Sequence, residues 1–170
     1  MRSTALGSLP VVSLVAKVLT VSDGVVAGTR DDVSGRVLAE RLAAEGYEVA
    51  AHEVTADGVT SVADALRRLT AGFAGLVVTT GGTGFGPRDL TPEGTRQVIE
   101  REAPGLAEAM RHTSMGVNPH GMLSRGVCGA TGAALICNLP GSSKGAIECL
   151  EAVLSALPHA LDLLAGGRPH

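Results

Sequence analysis

Aromatic side chains are nearly missing: the 170-residue chain has no Trp, one Tyr and two Phe. Any core must be built from Val, Leu, Ile and Ala, which favours packed α/β layers. With 45% hydrophobic and 18% charged residues, the length suits one domain rather than two. Cysteine is scarce as well. Cys128, Cys137 and Cys149 are odd in number and lack Cys-x-x-Cys spacing, which argues against a disulfide framework or a zinc knuckle and fits a reducing cytoplasm. A net charge of -3 comes without a basic stripe, so no nucleic-acid partner is indicated. No apolar run reaches the roughly 18 residues that a membrane span needs. Residues 1–16 carry Arg2 and an apolar patch interrupted by Pro10 and Ser13, too thin for a secretory signal. They read as a loose N-terminal arm, with 167–170 as a short tail. A Gly-x-Ser-x-Gly elbow is also absent, and His52, His112, His120, His159 and His170 share no ligand spacing. Covalent catalysis and a histidine metal centre are therefore not indicated.

What is present centres on Leu76 to Glu93, LVVTTGGTGFGPRDLTPE. Its β-branched opening suits a strand buried on both faces of a parallel sheet. Gly81, Gly82, Gly84 and Gly86 then allow positive φ and close approach of backbone N–H groups to a ligand. Thr91, Pro92 and Glu93 signal a helix start, with Thr91 as the capping hydroxyl. The pattern is strand, glycine turn, helix. It is neither of two familiar phosphate loops: Pro87-Arg88 stands where a Walker A loop has Lys-Ser/Thr, and the glycine spacing misses Gly-x-Gly-x-x-Gly. A different cradle of backbone N–H groups remains, alongside the plainer reading of a tight turn.

The flanking pattern predicts a strand over Lys17 to Ser22, a loop over VVAGTRDD, and a helix from Val33 capped by Asp32 and ended by Gly46. A second strand is expected over Tyr47 to Val54. Val62, Leu66, Leu69 and Phe73 mark an amphipathic helix capped by Thr60 or Ser61. After the third strand, Leu76 to Thr80, helices are expected from Pro92 to about Arg101 and from Pro104 to about His112. Gly116 to Gly121 reads as irregular. Two short strands, Leu123 to Cys128 and Ala133 to Asn138, follow, and one long helix with a kink at Pro158 closes the chain. The β-α-β-α-β order makes this a single-domain, three-layer α/β/α fold with a mostly parallel, doubly wound sheet.

In such a sheet the carboxyl ends of the strands form the ligand rim. Asp57 after the second strand and Asp89 after the third would share that rim with Ser22 and Asp23 after the first. Paired carboxylates there could hold Mg²⁺ against phosphate oxygens, although an Asp is equally at home as a turn residue. A second anion candidate is NLPGSSK, Asn138 to Lys144, between a strand and a helix. A cation in the first turn opposes the helix dipole unless an anion lies between them; the alternative is a solvated surface lysine.

Together, VLTVSD at 18–23, GGTGFGPRDLTPE at 81–93, MLSRGVCG at 122–129 and NLPGSSKG at 138–145 resemble the molybdopterin adenylyltransferases: the Mog and MoaB proteins and the G domains of gephyrin and its plant relative. The resemblance spans about residues 17–166. It implies a MoaB/Mog-like domain that uses Mg²⁺ to transfer AMP from ATP to the terminal phosphate of molybdopterin. On that resemblance Asp57 and Asp89 are the catalytic and metal-holding acids. Ser22, Asp23, Gly81, Gly82, Thr83, Gly84 and Phe85 line the nucleotide side, Ser124 and Arg125 contact molybdopterin, and Asn138, Pro140, Gly141, Ser142 and Lys144 complete the anion site. A homotrimer and a molybdenum insertase as partner are also implied. Two departures stand out: Ser143 replaces the second Pro of the family's Pro-Gly-x-Pro loop, and Ala56-Asp57-Gly58 replaces Pro-Asp-Glu. A non-catalytic pterin or nucleotide binder in the same pathway, handing its ligand to a partner, is the alternative.

Overall fold

The computed structural model describes residues 13–168; most of the expected N-terminal arm and half of the expected tail lie outside them. Four strands form the parallel part of a six-stranded sheet: β1 (Val15–Val21), β2 (Glu48–Thr55), β3 (Gly75–Thr80) and β6 (Ala134–Leu139). β1 therefore starts two residues inside the expected arm. The sheet order is β2-β1-β3-β6-β5-β4, where β4 is Arg101–Glu102 and β5 is Cys128–Thr131. β5 pairs antiparallel with both neighbours, so it alone runs against the other five. β3 and β6 are buried along their whole length, which explains why their sequences show continuous apolar runs rather than alternation.

β1 alternates between two cores. Ala16 and Val18 face one shared with Leu38 and Leu42 of α2 (Val33–Ala44) and with Leu150 and Val153 of α6 (Ser143–Val153). Leu19 and Val21 face the other, against Val62 and Leu66 of α3 (Val59–Thr70). This two-residue period across a sheet sandwiched by helices gives the three layers. α2 is capped as expected, since the Asp32 side chain accepts from Gly35 N at 3.0 Å, and Gly46 takes φ +88° just beyond the helix end.

Several boundaries differ from expectation. The loop after β1 contains a single helical turn, α1 (Asp23–Val26), capped by Ser22. α3 starts at Val59, preceded by Gly58 and so without a side-chain cap; Ser61 instead donates back to Asp57 O at 2.8 Å. α4 spans only Thr91–Arg96, because the chain turns to pair Arg101 and Glu102 with β5. Thr91 is no cap: its hydroxyl is buried and donates to Gly81 O at 2.9 Å, fastening the loop to the helix below. α5 runs longer, Pro104–Val117, and is followed by a 3-10 turn at Pro119–Leu123 where irregular chain was expected. β5 begins only at Cys128, and Gly129 lies inside the strand rather than in the turn. The closing helix is two, α6 and α7 (Leu157–Leu164). Pro158 sits in the first turn of α7, where its missing N–H costs nothing, so it starts a helix instead of kinking one.

Candidate functional site

The carboxyl ends of β1, β2 and β3 converge as the sequence predicts, and the backbone holds them together. Asp23 N donates to Asp57 Oδ2 at 2.8 Å, and Asp57 N donates to Asp23 Oδ1 at 3.1 Å. Arg88 clamps this pair from the third loop, donating to both Asp23 oxygens at 3.0 and 3.1 Å and to Asp57 O at 2.8 Å. The hydrogen-bonded Arg88 guanidinium holds the Asp23 carboxyl below its ordinary range, with a further contribution from Asp57 N. Asp23 thus serves to position Asp57 and is not among the residues lining the cleft.

The glycine loop needs its glycines for two reasons. Gly81 and Gly82 take φ +101° and +66°, where other residues are strained, and a Cβ on Gly81 would meet Val21 O at 2.3 Å. At Gly84 and Gly86 the reason is space: a Cβ would lie 3.0 or 2.8 Å from Asp89 Oδ2. Asp89 folds back over the loop and accepts from Gly86 N at 2.9 Å. Behind the loop, Arg125 donates to Gly84 O at 2.8 Å and to Asp89 O, and pairs with Glu93. That hydrogen-bonded pairing lowers the Glu93 carboxyl against a smaller opposing effect of burial.

Two clefts result. The larger, about 590 Å³, is lined by the ends of β1 and β3, Asp57, Asp89, Gly81 to Gly84 and the turn Gly141 to Ser143. It also takes in Arg30, Asp31, Asp32 and Ser34 at the start of α2, a wall absent from the expected site. The second, about 350 Å³, is bounded by Ser114, Val117, His120, Leu123, Ser124 and Lys144. Thr83, Gly84 and Ser142 line both clefts, so the two spaces adjoin at the glycine loop. Close backbone packing keeps this junction narrow: Gly81 N donates to Leu139 O at 3.2 Å, Thr80 Oγ1 donates to Pro140 O at 2.7 Å, and a Cβ on Gly141 would lie 3.3 Å from Gly81 Cα.

The expected site residues divide accordingly. Ser22, Asp57, Asp89, Gly81, Gly82, Gly141 and Ser142 line the larger cleft, and Ser124, Pro140 and Lys144 the smaller. Lys144 is 81% exposed and 3.9 Å from Glu148. Besides Asp23, three others do different work. Asn138 is buried; it donates to Thr79 Oγ1 and Thr95 Oγ1 at 3.0 and 2.9 Å and accepts from Val127 N at 3.1 Å, so its side chain knits β6 to β3 and α4. Arg125 spends its donors on the loop backbone and Glu93. Phe85 is 72% exposed, 5.7 Å from the Arg125 guanidinium, and lines neither cleft. Sequence reasoning missed Arg30 and the α5 wall of the second cleft. No motif marks them; they reach the site only through the path of the chain.

No cluster of three or more His, Cys, Asp or Glu side chains suited to a metal occurs among the described residues. Asp57 and Asp89 fit Mg²⁺ as a pair, because one oxygen of each accepts from backbone while Oδ1 of each has no protein donor among them. Mg²⁺ is commonly held by one or two carboxylates, with water and phosphate oxygens completing its shell.

Two adjoining clefts at the carboxyl edge of a doubly wound sheet define an α/β protein with its candidate site at the strand ends. Comparison with known proteins makes that class specific. The probable molybdopterin binding domain family matches residues 17–159. A molybdopterin adenylyltransferase of Helicobacter pylori is 40% identical, covering 88% of this chain and 86% of its own. The molybdopterin biosynthesis enzyme MoaB of Thermus thermophilus superposes with a TM-score of 0.83 at 47% identity, over 92% of this chain and 98% of its own. The Mog protein of Mycobacterium ulcerans gives 0.84 at 38% identity, over 91% and 98%. The chain belongs to this family of molybdenum cofactor biosynthesis enzymes, the molybdopterin adenylyltransferases with their Mog and MoaB relatives.

Proposed function

We propose that the protein transfers AMP from ATP to the terminal phosphate of molybdopterin and releases pyrophosphate. The observation that carries this reading is the shared wall: one loop, Thr83-Gly84, faces both clefts, and only the larger cleft holds Asp57 and Asp89. ATP occupies the larger cleft with its α-phosphate at the glycine loop. Molybdopterin occupies the smaller, with Ser124 and Lys144 toward its polar groups. A phosphate oxygen of molybdopterin attacks the α-phosphorus, the bond to the bridging oxygen breaks, and pyrophosphate departs with that oxygen. A phosphate monoester with its second pKa near 6 is already largely ionised at neutral pH. No general base is needed, and positioning and charge neutralisation do the work.

Bound Mg²⁺ would neutralise phosphate charge there, held by Asp57 and Asp89. Reciprocal backbone bonds with Asp23 fix the Asp57 carboxylate, and Gly86 N fixes that of Asp89. The resemblance adds a cytoplasmic homotrimer and delivery of product to a molybdenum insertase. Purified protein with ATP, Mg²⁺ and molybdopterin should form adenylylated product and pyrophosphate. Asp57→Asn and Asp89→Asn should each lower the rate about 10²–10³-fold with pterin binding retained. A parent that binds both ligands and yields no product would be a carrier.

A further inference from the structure

Arg30 is the only cation among the residues lining the larger cleft, which otherwise carries Asp31, Asp32, Asp57 and Asp89. Its position is built. Thr29 N and Arg30 N both bond to Gly24 O, at 2.9 and 3.2 Å. The Arg30 stem lies flat over Gly24, where a Cβ would come within 2.8 Å of Arg30 Cδ and 3.1 Å of Cγ. Despite four carboxylates in the same cleft, the Arg30 guanidinium forms no hydrogen bond or ion pair among the described residues. Arg88 and Arg125, the other arginines near the glycine loop, are both spent on carboxylates and carbonyls. An arginine head is a planar fork of donors matched to phosphate oxygens.

We propose that Arg30 binds the β- and γ-phosphates of ATP and stays with the departing pyrophosphate. The inference rests on the adenylyl-transfer reading. In phosphoryl transfer the entering and leaving oxygens stand roughly in line across the phosphorus. The attacking phosphate arrives from the smaller cleft across Thr83 and Gly84, so the leaving group points away from that junction. Arg30 lines only the larger cleft, with the start of α2. The bond from the α-phosphorus to the bridging oxygen breaks, both electrons remain on pyrophosphate, and the Arg30 guanidinium, its stem resting over Gly24, receives the growing charge.

The test compares ATP, pyrophosphate and AMP binding by calorimetry in the parent, Arg30→Ala and Arg30→Lys, all with Mg²⁺. Affinity for ATP and for pyrophosphate should fall about 10-fold or more in Arg30→Ala and partly return in Arg30→Lys, while AMP affinity stays within about 2-fold. Equal losses for AMP and ATP would place Arg30 at the nucleoside and overturn the assignment. Unchanged ATP affinity would also overturn it, leaving a solvated arginine. Turnover of the parent is scored separately, so a parent that binds ATP and forms no adenylylated product defeats the adenylyl-transfer reading without touching the phosphate contact.

Discussion

The two clefts differ in how polar they are and in where the polarity comes from. In the larger one, polarity comes from backbone turns and short acids held from behind, with Asp57 tied to Asp23 and Asp89 tied to Gly86. The smaller one is more apolar, walled in part by Val117 and Leu123, and what polarity it has comes largely from side chains such as Ser124 and Lys144. A cradle of main-chain groups is fixed once the chain is folded, whereas an exposed lysine must be immobilised by its ligand at an entropic cost. Under the proposed assignment, precision resides on the α-phosphate side, where the reaction needs it, and adaptable contacts on the pterin side.

Breaking the shared wall should erase that difference altogether. Gly82→Ala forces a φ of +66° on an L side chain and places Cβ 2.2 Å from Thr91 Oγ1. The loop must move, at a cost of about 2 kcal/mol or more, and both ATP and molybdopterin binding should weaken together in paired titrations. A smaller effect is expected when the brace behind the wall is cut. Arg125 and Glu93 are 29% and 36% exposed, so solvent screening limits their pair, and Arg125→Met should cost about 1–2 kcal/mol by denaturant unfolding.

The sign of its pH dependence follows from Glu93, whose carboxyl titrates lower in the folded protein. The stabilisation is fully present above the ordinary carboxylate range and is lost as pH falls through the depressed folded value. Melting temperatures of the parent and Glu93→Gln should therefore differ at neutral pH and converge in acid. A gap that widens in acid would reverse the assignment. The smallest effect sharpens the comparison: Lys144→Ala should raise the KM for molybdopterin only about 2–5-fold, since the lysine is 81% exposed, and leave that for ATP unchanged.

The parallel half of the sheet was legible because its signals are local. The β-branched run of β3, the 3.6-residue periods of α2 and α3, and the glycines between them all agree, and the rim positions of Asp57 and Asp89 follow from strand direction alone. The other edge was illegible for physical reasons. β4 is two exposed residues, Arg101 and Glu102, with too little length for any periodicity. α6 and α7 part at Leu154–Ala156, whose residues favour helix, so only tertiary packing shows the break. Within the site, sequence order placed Asn138 and Arg125 in the right neighbourhood without revealing that both point at the protein's own polar groups. Arg30 had no pattern to announce it.

One corner beside the larger cleft couples four positions to one another. Gly35 in α2 leaves room for Thr20, Asp32 and His52, where a Cβ would fall 2.2 Å from Thr20 Oγ1, 2.4 Å from His52 Nε2 and 2.6 Å from Asp32 Oδ1. Thr20 Oγ1 lies 2.9 Å from both Asp32 oxygens, and His52 Nε2 lies 2.7 Å from one of them. Residues in such contact do not mutate independently. Positions 20, 32, 35 and 52 are therefore one coupled set: a larger residue at 35 is tolerated only together with changes in the trio, and the combined substitutions should depart from additivity.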